Sequence, residues 1–151
     1  MRRIVIILLS IIGLVSIDFF SKQYVESVLA GNIHEYFPIL GEYLGISLSY
    51  NSGIAFSLPI TGIPLQIITI CILFCLFLYY FYTEYPKDLH ILDIWYTLIF
   101  AGALSHAYER IFAGHVIDFI SVKYFAILNF ADIFITIGAC FILFVYYVRK
   151  Q

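Results

Sequence analysis

Two aspartates, Asp118 and Asp132, have the type and placement that best support hydrolytic chemistry in this chain. Both lie on segments predicted to flank one apolar groove. Two close carboxyl groups cannot both ionise cheaply, so they share a proton. One can then accept a proton from water while the other donates to a carbonyl group. The pair titrates as a unit, and our hypothesis is that Asp132, near a helix N-terminus, is ionised more often.

Eight further residues lie near these aspartates or near the ends of apolar stretches, and they complete the candidate site. They are Asp18, Lys22, Asn51, Gly53, His106, Glu109, Arg110 and Asn129. Each also has a purely structural interpretation. Asp18 and Lys22 are spaced as a helical ion pair, Arg110 can extend to lipid headgroups, and Asn51 begins a turn-like segment.

The pair Asn129 and Asp132 also matches a helix N-cap with an acidic residue at the third helical position. Other hydrolytic mechanisms have less support. A nucleophilic triad needs a serine or cysteine with a base, and none stands out. The zinc peptidase pattern H-E-x-x-H is absent from the sequence. Paired aspartates remain, and neither a metal nor a cofactor is implied.

The composition predicts a membrane protein. Of 151 residues, 63% are hydrophobic and 12% are charged, whereas a soluble domain has roughly 45–50% apolar and about 25% charged residues. A soluble chain this short could not bury so much apolar surface. The net charge of −2 gives no indication of a nucleic-acid partner.

Four apolar stretches are close to the roughly 20 residues that cross a bilayer. They run from about Ile4 to Phe20, Ile63 to Tyr82, Ile91 to Tyr108 and Phe130 to Val148. We therefore predict an all-α integral membrane protein with four transmembrane helices, forming a single domain over residues 1–151. The three cysteines lie inside these stretches and are expected to be small buried hydrophobic residues.

Lysine and arginine in the flanking segments indicate the orientation. Both termini and the short 83–90 connection are expected in the cytoplasm by the positive-inside rule, through Arg2, Arg3, Lys87, Arg149 and Lys150. The candidate site residues then converge on the outer face. The cytoplasmic ends have no comparable polar set, and we assign no chemistry to Asp93, interpreted as an interfacial or capping residue.

The long outer connection, about residues 21–62, contains an alternating stretch from Tyr43 to Tyr50 bounded by turn residues. It predicts a small antiparallel β element in the outer loop between spans one and two, lying on the membrane surface. The second outer connection, about residues 109–129, is expected to be a loop.

Four ordered motifs resemble those of lipoprotein signal peptidase, also called signal peptidase II. They are Asp18-Phe19-Phe20-Ser21-Lys22, Asn51-Ser52-Gly53-Ile54-Ala55-Phe56-Ser57, Gly102-Ala103-Leu104 through Arg110 to Val116-Ile117-Asp118-Phe119, and Asn129-Phe130-Ala131-Asp132 with Ile135-Thr136-Ile137-Gly138. The resemblance covers the whole length of the chain. It implies that Asp118 and Asp132 are the catalytic dyad, and that the other site residues support it or contact substrate.

The resemblance further implies a substrate and a location. The substrate is a prolipoprotein whose lipobox cysteine carries diacylglycerol, cut just before that cysteine. The enzyme acts as a monomer in the bacterial inner membrane, among membrane lipids, with its active site toward the outer face. An inhibitor of the globomycin type is expected to block it.

Two positions depart from the family pattern. His106 stands where the family usually has Asn, and Glu109 stands where it usually has Asp. These changes keep open a second hypothesis, a non-catalytic homologue that binds lipidated peptides. A third, a small transporter or structural membrane protein, ranks last because spans two and four have almost no polar residues midway.

Overall fold

Four long helices form most of the described part of the chain. The structure is a computed structural model that describes residues 1–32, 35–53 and 62–151. The helices are α1 (Arg2–Leu29), α2 (Gly62–Tyr79), α3 (His90–Phe112) and α4 (Phe130–Arg149). A π-helical turn (Tyr80–Glu84) and a 3₁₀ turn (Tyr85–Lys87) continue α2. Each predicted apolar stretch lies within one of these helical segments.

Three of the helices in the described residues are long and apolar enough to cross a membrane. They are α1, α2 with its continuation to Lys87, and α4. Helix α3, whose apolar run is interrupted by Asp93, Thr97, Ser105 and His106, is not among them. Large apolar side chains are exposed along the three apolar helices, as expected where lipid rather than protein surrounds them.

The prediction for the cysteines was wrong. Cys71, Cys75 and Cys140 are all exposed and have free thiols. Apolar residues in a membrane protein need not lie in the protein core, because hydrocarbon tails are equally apolar surroundings.

A four-stranded antiparallel sheet joins the two connections that carry site residues. Its strands are β1 (Phe37–Leu40), β2 (Leu44–Asn51), β3 (Val116–Val122) and β4 (Ala126–Leu128), in the order β1-β2-β3-β4. The first two strands match the predicted element between the first two apolar stretches. The other two belong to the connection that we expected to be a loop. The first half of β3 is buried throughout, so its sequence lacks the alternation that reveals a half-buried strand.

Helix α1 supports the sheet directly. It continues nine residues beyond the predicted end at Phe20 and reaches Leu29. Its last turns pack on the sheet through a small core of Leu29, Leu48 and Ile117. The first helix and the middle strands are therefore fixed to each other beside Asp118.

Two glycines allow α3 and α4 to pack closely. A Cβ on Gly102 would lie 2.5 Å from the carbonyl oxygen of Ala131. A Cβ on Gly138 would lie 2.6 Å from the carbonyl oxygen of Trp95. Small residues at helix contacts permit this approach of two backbones inside a membrane. The contact at Gly102 fixes the first turn of α4, which carries Asp132, against α3.

The main hydrophobic core lies at the far end of the helices from the sheet. Its buried members are Ile7, Tyr80, Leu92, Tyr96, Phe100 and Ile142. Trp95 of α3 stacks on Phe141 of α4 beside it, with ring centroids 4.2 Å apart.

The expectation of no comparable polar set at this far end was wrong. Arg3 donates from Nε and Nη2 to the two oxygens of Asp93, both at 2.7 Å. It also donates to the carbonyl of Tyr85 at 2.9 Å and to Asp88 at 2.8 Å. Asp93 is buried and also accepts from the Tyr80 hydroxyl at 2.7 Å. Asp93 thus joins α1, α3 and the end of α2 from its place in the first turn of α3.

Candidate active site

Asp118 and Asp132 are brought to the same end of the molecule by two short elements. Asp118 lies in β3, and Asp132 lies in the first turn of α4. The β3–β4 hairpin ends at Leu128, so α4 begins almost immediately after it. Asp118 is 5% exposed, whereas the Asp132 side chain is 33% exposed. One carboxyl group is thus buried and the other is open to the surroundings.

Asn129 connects the two carboxyl groups. Its side-chain amide donates from Nδ2 to Oδ1 of Asp118 at 2.6 Å. Its backbone N–H donates to Oδ2 of Asp132 at 3.1 Å, and its Oδ1 accepts from the Asp132 N–H at 3.0 Å. The capping box predicted from the sequence is therefore present. The structural and functional interpretations of Asn129 apply together, because the cap residue holds both aspartates.

Asn51 binds the second oxygen of Asp118. The β2–β3 pairing sets Ser49 opposite Asp118 and Asn51 opposite Val116. Asn51 donates from Nδ2 to Asp118 Oδ2 at 3.1 Å, and its Oδ1 accepts from the Gly53 N–H at 3.1 Å. The turn predicted here therefore orients the amide toward the aspartate. Ile54 to Ser57, the rest of this motif, lie outside the described residues.

The Asp118 carboxyl has an unusual environment for an acid. Both of its oxygens accept hydrogen bonds from uncharged amides. Burial raises its pKa to about 6, and the charge of Asp132 acts in the same direction, against the two amide hydrogen bonds. A carboxyl group with such a pKa can retain a proton in mildly acidic conditions.

Lys22 lies at the centre of a buried charge cluster behind the dyad. Its Nζ is 2.6 Å from Asp18 Oδ2 and 2.5 Å from Glu109 Oε2. Asp18 is 0% exposed and Lys22 is 1% exposed. The predicted ion pair between Asp18 and Lys22 is present, and Glu109 pairs with Lys22 rather than with Arg110. A buried lysine between two carboxylates neutralises charges that would be costly alone.

The same cluster holds the backbone next to each aspartate of the dyad. Asp18 Oδ1 accepts from the Ala131 N–H at 3.0 Å, one residue before Asp132. Glu109 Oε1 accepts from the Ile117 N–H at 3.2 Å, one residue before Asp118. Buried charges thus position both segments, which sequence motifs alone do not reveal.

Ser105 also belongs to this cluster, although we did not predict it. Its hydroxyl donates to Asp18 Oδ2. Its position four residues before Glu109 puts it on the same face of α3, and this spacing is the signal that could have identified it.

His106 contacts the more exposed aspartate. Its Nε2 lies 3.0 Å from Asp132 Oδ1, and the residue is 7% exposed. Its Nδ1 is buried without a hydrogen-bond partner in the described structure. In the described structure, His106 therefore contacts Asp132 through one ring nitrogen and leaves the other nitrogen buried without a partner.

The guanidinium group of Arg110 lies near residues of the candidate site. Its Nη2 lies 3.4 Å from the Gly53 carbonyl oxygen, and its Nη1 lies 3.5 Å from Thr69 Oγ1. Its own carbonyl accepts from Gln66 Nε2 at 2.7 Å. Gln66 and Thr69 of α2 were not predicted as site residues, although they are polar side chains within an apolar stretch.

All ten residues proposed from the sequence therefore lie in one connected region. The helices α1, α3 and α4 and the strands β2 and β3 each contribute to it. Among the described residues, no group of three or more His, Cys, Asp or Glu side chains is arranged to hold a metal ion. The region thus contains two carboxyl groups, one buried and one accessible, that are connected through hydrogen bonds to Asn129.

This fold and this region define a class: a mostly helical, multi-pass membrane protein with paired carboxyl groups beside a small antiparallel sheet. A sequence model described as signal peptidase (SPase) II matches residues 10–148. The chain belongs to the signal peptidase II family, and it is therefore a peptidase.

Curated relatives and solved structures agree with this assignment. A lipoprotein signal peptidase from Fusobacterium nucleatum is 32% identical, over 91% of this chain and 85% of that protein. One from Pseudomonas fluorescens is 37% identical, over 87% and 80% respectively. A bacterial membrane enzyme solved by the in meso method at 2.3 Å is similar with a TM-score of 0.82. It is 29% identical, over 96% of this chain and 89% of that structure.

Proposed function

We propose that this chain removes signal peptides from prolipoproteins whose lipobox cysteine carries diacylglycerol, cutting just before that cysteine. Asp118 and Asp132 are the catalytic dyad of an aspartic mechanism. The residues that support the dyad or contact substrate are Asp18, Lys22, Asn51, Gly53, His106, Glu109, Arg110 and Asn129. Family membership and the names of the relatives support the substrate class, and the geometry around Asn129 supports the dyad.

One observation carries the catalytic assignment. A single residue, Asn129, binds both carboxyl groups, yet the two groups have opposite surroundings. Asp118 is buried among uncharged amides, whereas Asp132 lies at a helix N-terminus and contacts His106. Pairs of acids with contrasting environments divide the roles of acid and base between them.

The reaction follows from this division. The ionised Asp132 takes a proton from a water molecule while the oxygen of that water forms a bond to the scissile carbonyl carbon. Asp118, protonated, donates its proton to the carbonyl oxygen, so a neutral tetrahedral intermediate forms. The C–N bond then breaks. Asp132 gives its proton to the leaving amine of the cysteine, and Asp118 recovers a proton from a hydroxyl group of the intermediate.

The membrane arrangement is part of the same proposal. All four helices cross the bilayer, with both termini cytoplasmic and the sheet on the outer face of the bacterial inner membrane. The polar α3 can cross because Arg3 partners Asp93 and Lys22 partners Glu109, which lowers the cost of charge in hydrocarbon. The protein acts as a monomer, and residues 1–151 form a single domain. The lipidated substrate enters the site sideways from the bilayer.

The test is cleavage of a diacylglyceryl-modified prolipoprotein by purified protein in detergent micelles, followed as a size shift. The wild type should cleave the modified substrate and leave the unmodified precursor intact, and an inhibitor of the globomycin type should block it. Asp118→Asn and Asp132→Asn should each abolish cleavage while retaining binding. Asp88→Asn is the matched control, since Asp88 is exposed at the far end of the helices.

A second outcome would favour a non-catalytic homologue. The two residues that differ from the family pattern are His106 and Glu109. His106 contacts the dyad, and Glu109 belongs to the charge cluster that supports it. Binding of the modified substrate by the wild type without any cleavage would replace the peptidase proposal with this one.

A further inference from the structure

Among the residues that the structure describes, His106 is the imidazole in contact with the dyad, and only one of its ring nitrogens has a partner there. Nε2 lies 3.0 Å from Asp132 Oδ1, while Nδ1 is buried and has no partner among the described residues. A protonated ring would carry a second N–H at Nδ1 with no acceptor, and burying an unsatisfied donor is costly. The geometry therefore favours a neutral ring with its proton on Nε2, donating to Asp132.

The ring makes the hydrogen bonding of the two carboxyl groups equal. Asp118 accepts two hydrogen bonds, both from neutral side-chain amides. Asp132 accepts one from a backbone N–H and one from His106. Hydrogen bonds to the charged form of an acid favour that form, so without His106 the balance would move toward a charged Asp118. With His106 present, the greater exposure of Asp132 and its place at a helix N-terminus favour the negative charge on Asp132.

We propose that His106 is a positioning residue that keeps the dyad proton on Asp118 and the negative charge on Asp132. The inference rests on the proposed peptidase function and adds a role for the ring itself. Asparagine, the usual family residue at this position, can also donate a hydrogen bond. The role proposed for His106 is therefore that of a hydrogen-bond donor to Asp132, supplied here by a ring.

The ring is surrounded by charged groups from every neighbouring element. Asp132 of α4 and Asp118 of β3 face it, and Glu109 and Arg110 follow it on α3. The Lys22–Asp18 pair of α1 lies behind Glu109. Of these groups, Asp132 is the one within hydrogen-bond distance of the ring, so a change at His106 should act on Asp132 first.

The experiment compares wild type, His106→Asn and His106→Leu across pH with a diacylglyceryl-modified substrate, measuring kcat and KM separately. His106→Leu removes the donor, so kcat should fall roughly 10- to 100-fold while KM changes less than about twofold. His106→Asn restores a donor and should recover most of kcat. In His106→Leu the acid-side limb of the kcat profile should also move to higher pH, because Asp132 loses a hydrogen bond that favours its charged form.

His90→Leu is the matched control, because His90 is exposed at the far end of α3. Wild-type rates and pH profile should persist in it. A thermal unfolding scan of each variant separates folding defects from catalytic ones. If His106→Leu lowers only the unfolding temperature, or all pH profiles superimpose after scaling, His106 is a packing residue and the proposal fails.

Infrared spectroscopy gives a readout that needs no turnover. The Asp132 carboxylate band is identified by its loss in Asp132→Asn. At the same pH we expect a smaller ionised fraction of Asp132 in His106→Leu than in wild type, and equal fractions would overturn the proposal. A wild type that fails to cleave refutes the peptidase function, whereas cleavage with equal ionised fractions refutes the role of His106 alone.

Discussion

Lys22 is an ammonium group almost fully removed from water, and it depends on its two carboxylate partners. Asp18 and Glu109 each bind it, and each also accepts a backbone N–H beside one aspartate of the dyad. Removing one member of such a cluster leaves the others as buried uncompensated charges.

Lys22→Met should therefore destabilise the protein by about 3–5 kcal/mol, the usual effect of breaking a buried ion pair. Cleavage should also fall, since Ala131 and Ile117 lose fixed acceptors. Thermal unfolding in micelles and the cleavage assay measure the two effects.

Lys123→Met is the matched control. Lys123 pairs with Glu42 at the surface of the sheet, and exposed pairs contribute about 0–1 kcal/mol. Equal losses in the two variants would show that Lys22 is no more important than a surface lysine.

Asp118 should make stability depend on pH. Its pKa is about 6 in the folded protein against 3.8 for the ordinary group. Between these values the folded state keeps a proton that the unfolded chain releases. The contribution of Asp118 to stability is therefore fully present below about pH 4 and is lost as pH rises through about 6, by at most about 3 kcal/mol.

Comparison of wild type with Asp118→Asn from pH 4 to 7.5 isolates this contribution. The unfolding temperature of wild type should fall relative to the variant as pH rises. Parallel curves for the two proteins would show that burial of Asp118 does not perturb its titration.

At the scale of elements, the α3–α4 contact fixes where α4 begins. Gly102 faces the Ala131 carbonyl oxygen at a distance that leaves no room for a methyl group. Because Ala131 precedes Asp132, any separation of these helices also displaces the dyad.

Gly102→Ala should cost about 1–3 kcal/mol, as overpacking generally does, and it should reduce kcat as well. Gly13→Ala in α1 is the matched control, because a Cβ there meets no atom within 4 Å. Its greater helix propensity should leave stability equal or slightly higher. Unfolding temperature and kcat for both variants test this, and unchanged values for Gly102→Ala would contradict it.

The elements differ in how far the sequence determines them. Four apolar stretches and the Asn129–Asp132 cap are local patterns, and both appear in the structure. Strand β3 could not be predicted, since its buried first half has no alternation, and the three residues of β4 are too few to show a pattern. The extension of α1 to Leu29 depends on packing against Leu48 and Ile117, a tertiary contact without a local signal.

At the scale of the whole molecule, polar clusters lie at both ends of the helices, separated by the apolar core. The sequence indicated the cluster around Asp118 because several motifs converge there. It did not indicate the second, because Arg3 and Asp93 are 90 positions apart and each resembles an ordinary flanking charge.

The far cluster should contribute to stability but not to cleavage. Arg3→Gln removes two hydrogen bonds to Asp93, and we expect a loss of about 1–3 kcal/mol with kcat unchanged. Arg2→Gln removes the same charge from an exposed neighbour and should be close to neutral. Unfolding temperatures and cleavage rates test this; a large loss of kcat in Arg3→Gln would show that the two ends are coupled.

The spacing of Asp18 and Lys22 also bears on biogenesis. During translation α1 emerges first, whereas Glu109 and Ala131 follow 87 and 113 residues later. Until then, the two side chains one turn apart can only neutralise each other. We therefore expect the nascent first helix to enter the bilayer with these two charges already paired, and its later partners to complete the cluster during assembly.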